Sequence, residues 1–472
     1  MPLPPPPSLE SLEAAYGSRY RWMVLVVVGT GIVAGVLETS SFNVALPALS
    51  RAFGLGADSV QWAMTGFMAA MTLAMLPASW LLERFGFRRV FLAAVWLLAA
   101  ASVAGCFARS FELVVLARVV QGAATGVLQP LALLVIMRLF PPEIQGRASG
   151  LMTLGVAATP AVAPAFGGVL VDAFGWPSIF LLSLPFCVAA LVAGQFLLPA
   201  PRSLERRPFD LWGATLLGAA TLSLMAGISA LQRGGALELA LAVVLAGGFV
   251  VHARRHKAPI VRLEPFANRS FAMGSLVSFT YGFGLYGSTY LIPVFLQEAL
   301  GYSATASGSV LVPAGIALLL TTPLAGRLAD SHSPRLVTTA GLVLFGLSFL
   351  PFAVRGGQIG QVELIAATVV GRIGLGLILP ALNLASVREL PAPLLAPSAV
   401  VVSLMRQIGG VLGIAGTAVF IAWRQQALAG RADGLSSAFA QGFLLLGLIV
   451  GASVIAAWRM RAQEAADGAA GA

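Results

Sequence analysis

Of the chain's 472 residues, 58% are hydrophobic and only 10% charged, and its mean hydropathy is +0.89. Soluble domains carry about 25% charge, so this composition cannot clothe a water-facing surface, and it excludes both a soluble globular protein and a disordered one. The formal net charge of +10 would suggest nucleic acid as a partner in a soluble protein, but here the basic residues stand between apolar runs, which assigns them to orientation in a bilayer and leaves no nucleic-acid partner.

The chain opens on MPLPPPPSLESLEAAYGSRYR. A signal peptide would have a basic region and an apolar core there, so this reads as a short uncleaved tail. Cuts at charges and at Pro/Gly clusters then give fourteen apolar segments, beginning near Trp22, Val60, Val90, Leu113, Gly150, Ser178, Leu211, Leu237, Phe271, Ser307, Leu336, Leu364, Val400 and Phe439. At about 20 residues per crossing they predict an all-α integral membrane protein. An even number puts both termini on one side. Alternating the loops gives that side twenty basic residues and the other six, so the termini are expected in the cytoplasm.

In the first segment Glu38 stands apart. It lies about 24 Å along a helix from Trp22 at 1.5 Å per residue, and the other eighteen of the nineteen acids fall in loops, tails or segment ends. Intramembrane ionisable residues face a cavity or a partner and mark ion or proton pathways, which makes Glu38 the candidate proton carrier. The alternative is a carboxyl hydrogen-bonded between helices. The loop after the second segment gathers Glu83, Arg84, Gly86, Arg88 and Arg89. A tight Gly turn there would let charges reach a neighbouring helix end and latch one conformation; a basic loop is also what orientation alone demands. Arg118, followed by Gln121 and Gly122 inside the fourth segment, is the candidate electrostatic partner of Glu38. The fifth segment, GVAATPAVAPAFGG from Gly155 to Gly168, mixes Pro160 and Pro164 with glycines, as a bent and tightly packed helix would.

A repeat runs through the chain. GRLADSHSPR (Gly326 to Arg335) echoes SWLLERFGFRR (Ser79 to Arg89), and GRIGLG (Gly371 to Gly376) echoes ARVVQG (Ala117 to Gly122). Glu83 and Asp330 lie 247 residues apart, Arg118 and Arg372 lie 254 apart, and Asp330 joins the latch candidates. The expected organisation is a tail at 1–21, a six-helix bundle at 22–200, an inserted two-helix hairpin at 201–258, a second six-helix bundle at 259–458 and a tail at 459–472. Parallel halves of this kind place a substrate site near the midplane, with Asn43, Trp62, Gln121, Gln129, Tyr286, Tyr290 and Asn383 as candidate cavity residues. Gly409, Gly410, Gly413 and Gly416 read as plain helix packing. Cys106 and Cys187 form no metal or redox spacing. No H-E-x-x-H, P-loop or G-x-S-x-G occurs, so neither a metal nor a cofactor is expected, and an ion gradient or the substrate gradient must supply the energy.

These landmarks together resemble the major facilitator superfamily, and within it the fourteen-helix drug:proton antiporters of the EmrB/QacA type. LETSSFNVALP (Leu37 to Pro47) is similar to that branch's L-D-x-T-I-V-N-V-A-L-P, with Glu38 at the acidic position. Ser79 to Arg89 resembles G-x-L-a-D-R-x-G-r-k-x, with Ser79 for Gly and Glu83 for Asp. Arg118, Gln121 and Gly122 match R-x-x-Q-G, whose Arg the family links to proton coupling. Ala163, Pro164, Gly167 and Gly168 resemble the antiporter motif G-P-x-x-G-G, with Ala163 for the first Gly. The resemblance implies a multidrug:proton antiporter of the bacterial inner membrane, not an enzyme, working by alternating access on a small amphipathic organic substrate. That substrate is expected to be neutral or monocationic, because the one buried acid, Glu38, can neutralise only one charge. It leaves open a dedicated exporter of one metabolite, peptide or siderophore, a proton-coupled importer and a lipid flippase. A periplasmic adaptor of the EmrB kind gains little support from the short outer loop near Arg424 to Leu435.

Overall fold

The structure, a computed structural model, describes residues 9–460 except 56, 61, 200–207, 230–233, 303 and 432. The ends of both expected tails and the basic residues Arg202, Arg206, Arg207, Arg233 and Arg461 lie outside the described residues. No strand occurs among the described residues. In hydrocarbon a backbone amide finds no water, and a helix satisfies its own amides internally.

The principal helices are α1 (Tyr20–Ser41), α2 (Trp62–Met75), α3 (Ala78–Phe85), α4 (Phe87–Cys106), α5 (Phe111–Leu128), α6 (Gln145–Phe174), α7 (Leu184–Leu197), α8 (Leu211–Ser229), α9 (Ala236–Arg255), α10 (Arg269–Val294), α11 (Ala304–Ser331), α12 (Pro334–Leu347), α13 (Gln361–Val387), α14 (Ala392–Ala427) and α15 (Gly434–Trp458). Shorter helices and single turns join them. Among the described residues, eleven helical stretches are long and apolar enough to cross a bilayer, or twelve if α2 and α3, bent by 52° at a short break, form one span. Pro77 sits at that break and brings no amide to continue the helical ladder. The count falls short of the fourteen expected. The helices outside it are α6 and α10, which at 30 and 26 residues are long enough; in α10 serines, threonines, tyrosines and glycines dilute the apolar residues.

The chain divides into two compact units. The first is drawn from Met1–Phe140, Leu154–Gly218 and His256–Val261, the second from Pro141–Thr153, Ala219–Arg255 and Arg262–Ala472. Each packs its helices by the same scheme. In the first, α1 lies against α5 and α7, α4 against α5 and α7, and α2 against α5. In the second, α10 lies against α13 and α15, α12 against α13 and α15, and α11 against α13. The sequence repeat is thus a repeat of packing.

Close packing in the first unit depends on small residues. A side chain at Gly122 would run into the Phe67 carbonyl, and one at Gly126 into that of Met71, so α2 and α5 meet backbone to backbone as small-residue interfaces allow. The second unit is held by a cluster of aromatic rings. Phe295 meets Phe352, Phe439 and Phe443 edge-on or tilted at 5.3–6.0 Å, and Phe352 stacks on Phe443 at 4.5 Å.

Candidate functional site

Glu38, in the last turn of α1, is 2% exposed, and Arg118, on the facing side of α5, is 0% exposed. Arg118 Nη1 lies 3.3 Å from Glu38 Oε2 and donates to Gln121 Oε1 at 3.0 Å. The other carboxylate oxygen, Oε1, accepts from Ser183 Oγ and from Ser102 Oγ, the latter at 3.1 Å. Gln121 Nε2 donates to Ser102 Oγ at 2.8 Å and closes the ring. Four stretches of chain therefore converge on one carboxylate: α1, α4, α5 and the turn before α7.

Above and below the guanidinium lie the rings of Phe42 and Phe67, with centroids 4.0 and 4.1 Å from its central carbon. Met64 Sδ stands 3.9 Å from Nη2. A cation between two ring faces is held electrostatically even where water is excluded. Arg118 Nε is buried with no hydrogen-bond partner. Removing one member of such a pair typically costs about 3–5 kcal/mol, because the other is left as an uncompensated buried charge. A proton landing on Glu38 does the same without mutation: it removes the negative charge and leaves Arg118 to find new partners. The arrangement can therefore exist in two charge states that differ by one proton.

The sequence reading brought Glu38 and Arg118 together, as the structure does. It missed Ser102, Ser183, Phe42, Phe67 and Met64. Gln121, expected among cavity residues, is fully buried inside the ion-pair network. Of the other cavity candidates, Asn43 and Trp62 are exposed, Trp62 by 64%, and neither joins the network. Gln129 is half-buried, its Nε2 3.6 Å from Met71 Sδ. Tyr286, Tyr290 and Asn383 are half-buried in the second unit.

The latch candidates make separate contacts. Gly86 turns the chain between α3 and α4 at φ 81°, ψ 158°, a region open essentially to glycine alone. The turn delivers Arg88 to α7, where Nη2 donates to the Gln195 carbonyl at 2.7 Å and Nη1 is buried without a partner. Glu83 acts electrostatically on Arg138, and Arg84 is half-buried. In the second unit Asp330 accepts from the amides of Gly146 and Arg147 at 2.6 and 2.9 Å, with Arg147 Nε at 3.7 Å. A carboxylate there faces the positive end of the α6 dipole. Further along α6, Gly167 packs on Ile179 and Ser41 and Gly168 on Val44, while the side chains of Pro160 and Pro164 lie outside the described ones.

Comparison with known proteins identifies the family. The family model described as Major Facilitator Superfamily matches residues 26–414. The chain is 28% identical over 437 residues to the "Multidrug resistance protein B homolog" of Mycobacterium tuberculosis (strain CDC 1551 / Oshkosh), covering 90% of this chain and 81% of that one. It is 29% identical over 427 residues to the "Tetracenomycin C resistance and export protein" of Streptomyces glaucescens, covering 89% and 79%. Among solved structures, the proton:xylose symporter XylE superposes with a TM-score of 0.65 at 15% identity, over 92% of this chain and 95% of that one. The chain therefore belongs to the major facilitator superfamily, and it is a secondary transporter rather than an enzyme.

Proposed function

We propose that the chain is a proton-coupled exporter of small amphipathic organic compounds that works by alternating access in the bacterial inner membrane, with both termini cytoplasmic. The observation that carries this is the buried Glu38–Arg118 pair with its ring of Ser102, Gln121 and Ser183. An antiporter needs a group that loses its proton on one side of the membrane and regains it on the other. A carboxylate whose charged form is held by a cation and two hydroxyls, and whose protonated form frees that cation, is such a group. Relatives named for multidrug resistance and for export of tetracenomycin C support the export direction. The same reading assigns the chain to the fourteen-helix EmrB/QacA branch, with α6 and α10 as the two spans beyond the apolar count and α8 and α9 as the inserted hairpin. At 1.5 Å per residue, α6 and α10 are about 45 and 39 Å long, enough to cross a bilayer.

Purified protein in proteoliposomes tests this reading. An outward-directed substrate flux against its own gradient should appear on imposing a pH gradient and vanish when a protonophore collapses it. Flux insensitive to the pH gradient, with every compound of a chemically diverse panel, would overturn proton coupling.

A further inference from the structure

The repeat that places Arg118 beside Glu38 in the first unit places Arg372 in the second with no acid to meet it. Arg372 lies about 16 Å into α13 and Arg406 about 21 Å into α14, well away from the ends of helices 27 and 36 residues long. Neither α10, α12, α14 nor α15 contains an aspartate or glutamate. The one acid of α11 is Asp330, committed to the start of α6, and the one acid of α13 is Glu363 in its first turn, paired with Arg355 at 3.5 Å. Among the described residues Arg372 has a single side-chain partner, Thr289 Oγ1 at 3.4 Å, and Arg406 has no side-chain hydrogen bond or ion pair. Among the described residues neither lies over an aromatic ring as Arg118 does.

The two cations are also gathered. Tyr281 lies within electrostatic reach of both Arg372 and Arg406, and Tyr286 within reach of Arg406. Glycines bring α10 and α14 into backbone contact at this level: a side chain at Gly282 would strike the Arg406 carbonyl, and one at Gly410 the Tyr286 ring. Beside Arg372 is a cavity of about 10 Å³, the size of one water, lined by Ser288, Phe345, Ser348, Phe349 and Thr368. The three hydroxyls spend their protons on carbonyls of their own helices, those of Leu285, Phe345 and Ile365. Arg372 is left as the strong donor facing that space.

We propose that Arg372 and Arg406 form an anion-recognising subsite and that the transported compound is an aromatic organic acid. Unpaired cations inside spanning helices are costly and are kept where they serve a ligand. A guanidinium matches a carboxylate bidentately, and Phe345 at the cavity beside Arg372, with Tyr281 and Tyr286 in the field of Arg406, suits an aromatic body. The neutral or monocationic substrate expected from sequence presumed that Glu38 was free to meet a cation. Its pairing with Arg118 leaves no net negative charge there to do so. This inference deepens the exporter reading and rests on it for transport, but the binding it describes needs no gradient.

The test is equilibrium dialysis of the full chain in nanodiscs, without a pH gradient, against 1-naphthaleneacetate and its uncharged isostere 1-naphthaleneacetamide. The acid should bind at least roughly ten-fold more tightly, and Arg372→Gln and Arg406→Gln should each remove about that factor for the acid while changing the amide less than about two-fold, which also reports that the variants fold. Arg372→Lys should retain an intermediate preference. Equal binding of the two probes, no binding of the acid by the wild type, or a preference that survives both Gln variants would overturn the subsite. Because the wild-type comparison stands alone, misfolded variants do not rescue the proposal. Uphill, pH-driven transport of a lipophilic cation such as tetraphenylphosphonium, with no response to acids, would keep the exporter reading and sink this one. Preferential acid binding without gradient-driven transport would do the reverse.

Discussion

The carboxylate of Asp330 accepts the backbone amide of Gly146 at 2.6 Å, so the last turn of α11 holds the first turn of α6 by a charge-assisted bond. The Arg147 amide at 2.9 Å is its second partner. Helix α6 begins in the second compact unit and continues from Leu154 in the first.

Asp330→Asn keeps the shape and removes the charge. Hydrogen bonds to charged groups contribute about 1.5–3 kcal/mol, and losing part of that should slow turnover by roughly an order of magnitude, 1.4 kcal/mol per factor of ten. Substrate affinity should change far less. Initial-rate transport and equilibrium binding on the same preparation check this; equal losses in both would reduce Asp330 to a helix cap.

Gly122→Ala places a methyl group where the Phe67 carbonyl already sits. Overpacking of this kind costs about 1–3 kcal/mol, so the thermal midpoint of the purified protein should fall. Gly308→Ala in α11, where a methyl group would meet nothing within 4 Å, should leave the midpoint unchanged or raise it, since alanine is the better helix former by about 1 kcal/mol. Similar shifts for both variants would mean that the α2–α5 contact is not tight.

The proposed topology rests on the loop charges. A single cysteine at Arg255, at the end of α9, should be shielded from an impermeant thiol reagent in intact cells, while one at Arg233, in the stretch between α8 and α9, should react. The reverse labelling pattern would invert the orientation.

What the sequence disclosed and what it hid divide along physical lines. Glu38 and Arg118 were legible because a charge inside an apolar run has few explanations, and their pairing followed from one being acid and the other base. The repeat was legible from Arg372 and Asp330 at matching offsets, and the packing repeats with it. Ser102 and Ser183 were not legible: a serine in a spanning helix is ordinary, and only the three-dimensional meeting of α1, α4 and the turn before α7 directs both hydroxyls to one carboxylate. Phe42 and Phe67 are likewise two of 27 phenylalanines until Arg118 is seen between them. Which way Trp62 and Asn43 face was not legible either, because an aromatic or an amide near a helix end carries no signal of direction; both side chains are exposed. The fourteen segments counted from the sequence include α6 and α10, which fall outside the eleven or twelve apolar spans among the described residues; in α10 serines, threonines, tyrosines and glycines lower the hydropathy.

The central claim is that the Glu38 proton couples the gradient to transport. Glu38→Gln keeps an acceptor for Arg118 and for the two serines and removes the titration. The decisive measurement is accumulation of substrate in proteoliposomes under an imposed pH gradient, compared between the wild type and Glu38→Gln, with substrate binding measured in parallel. The account predicts that Glu38→Gln still binds substrate and equilibrates it downhill but does not concentrate it. Uphill accumulation by Glu38→Gln at the wild-type rate would contradict the account and remove the buried pair from the coupling mechanism.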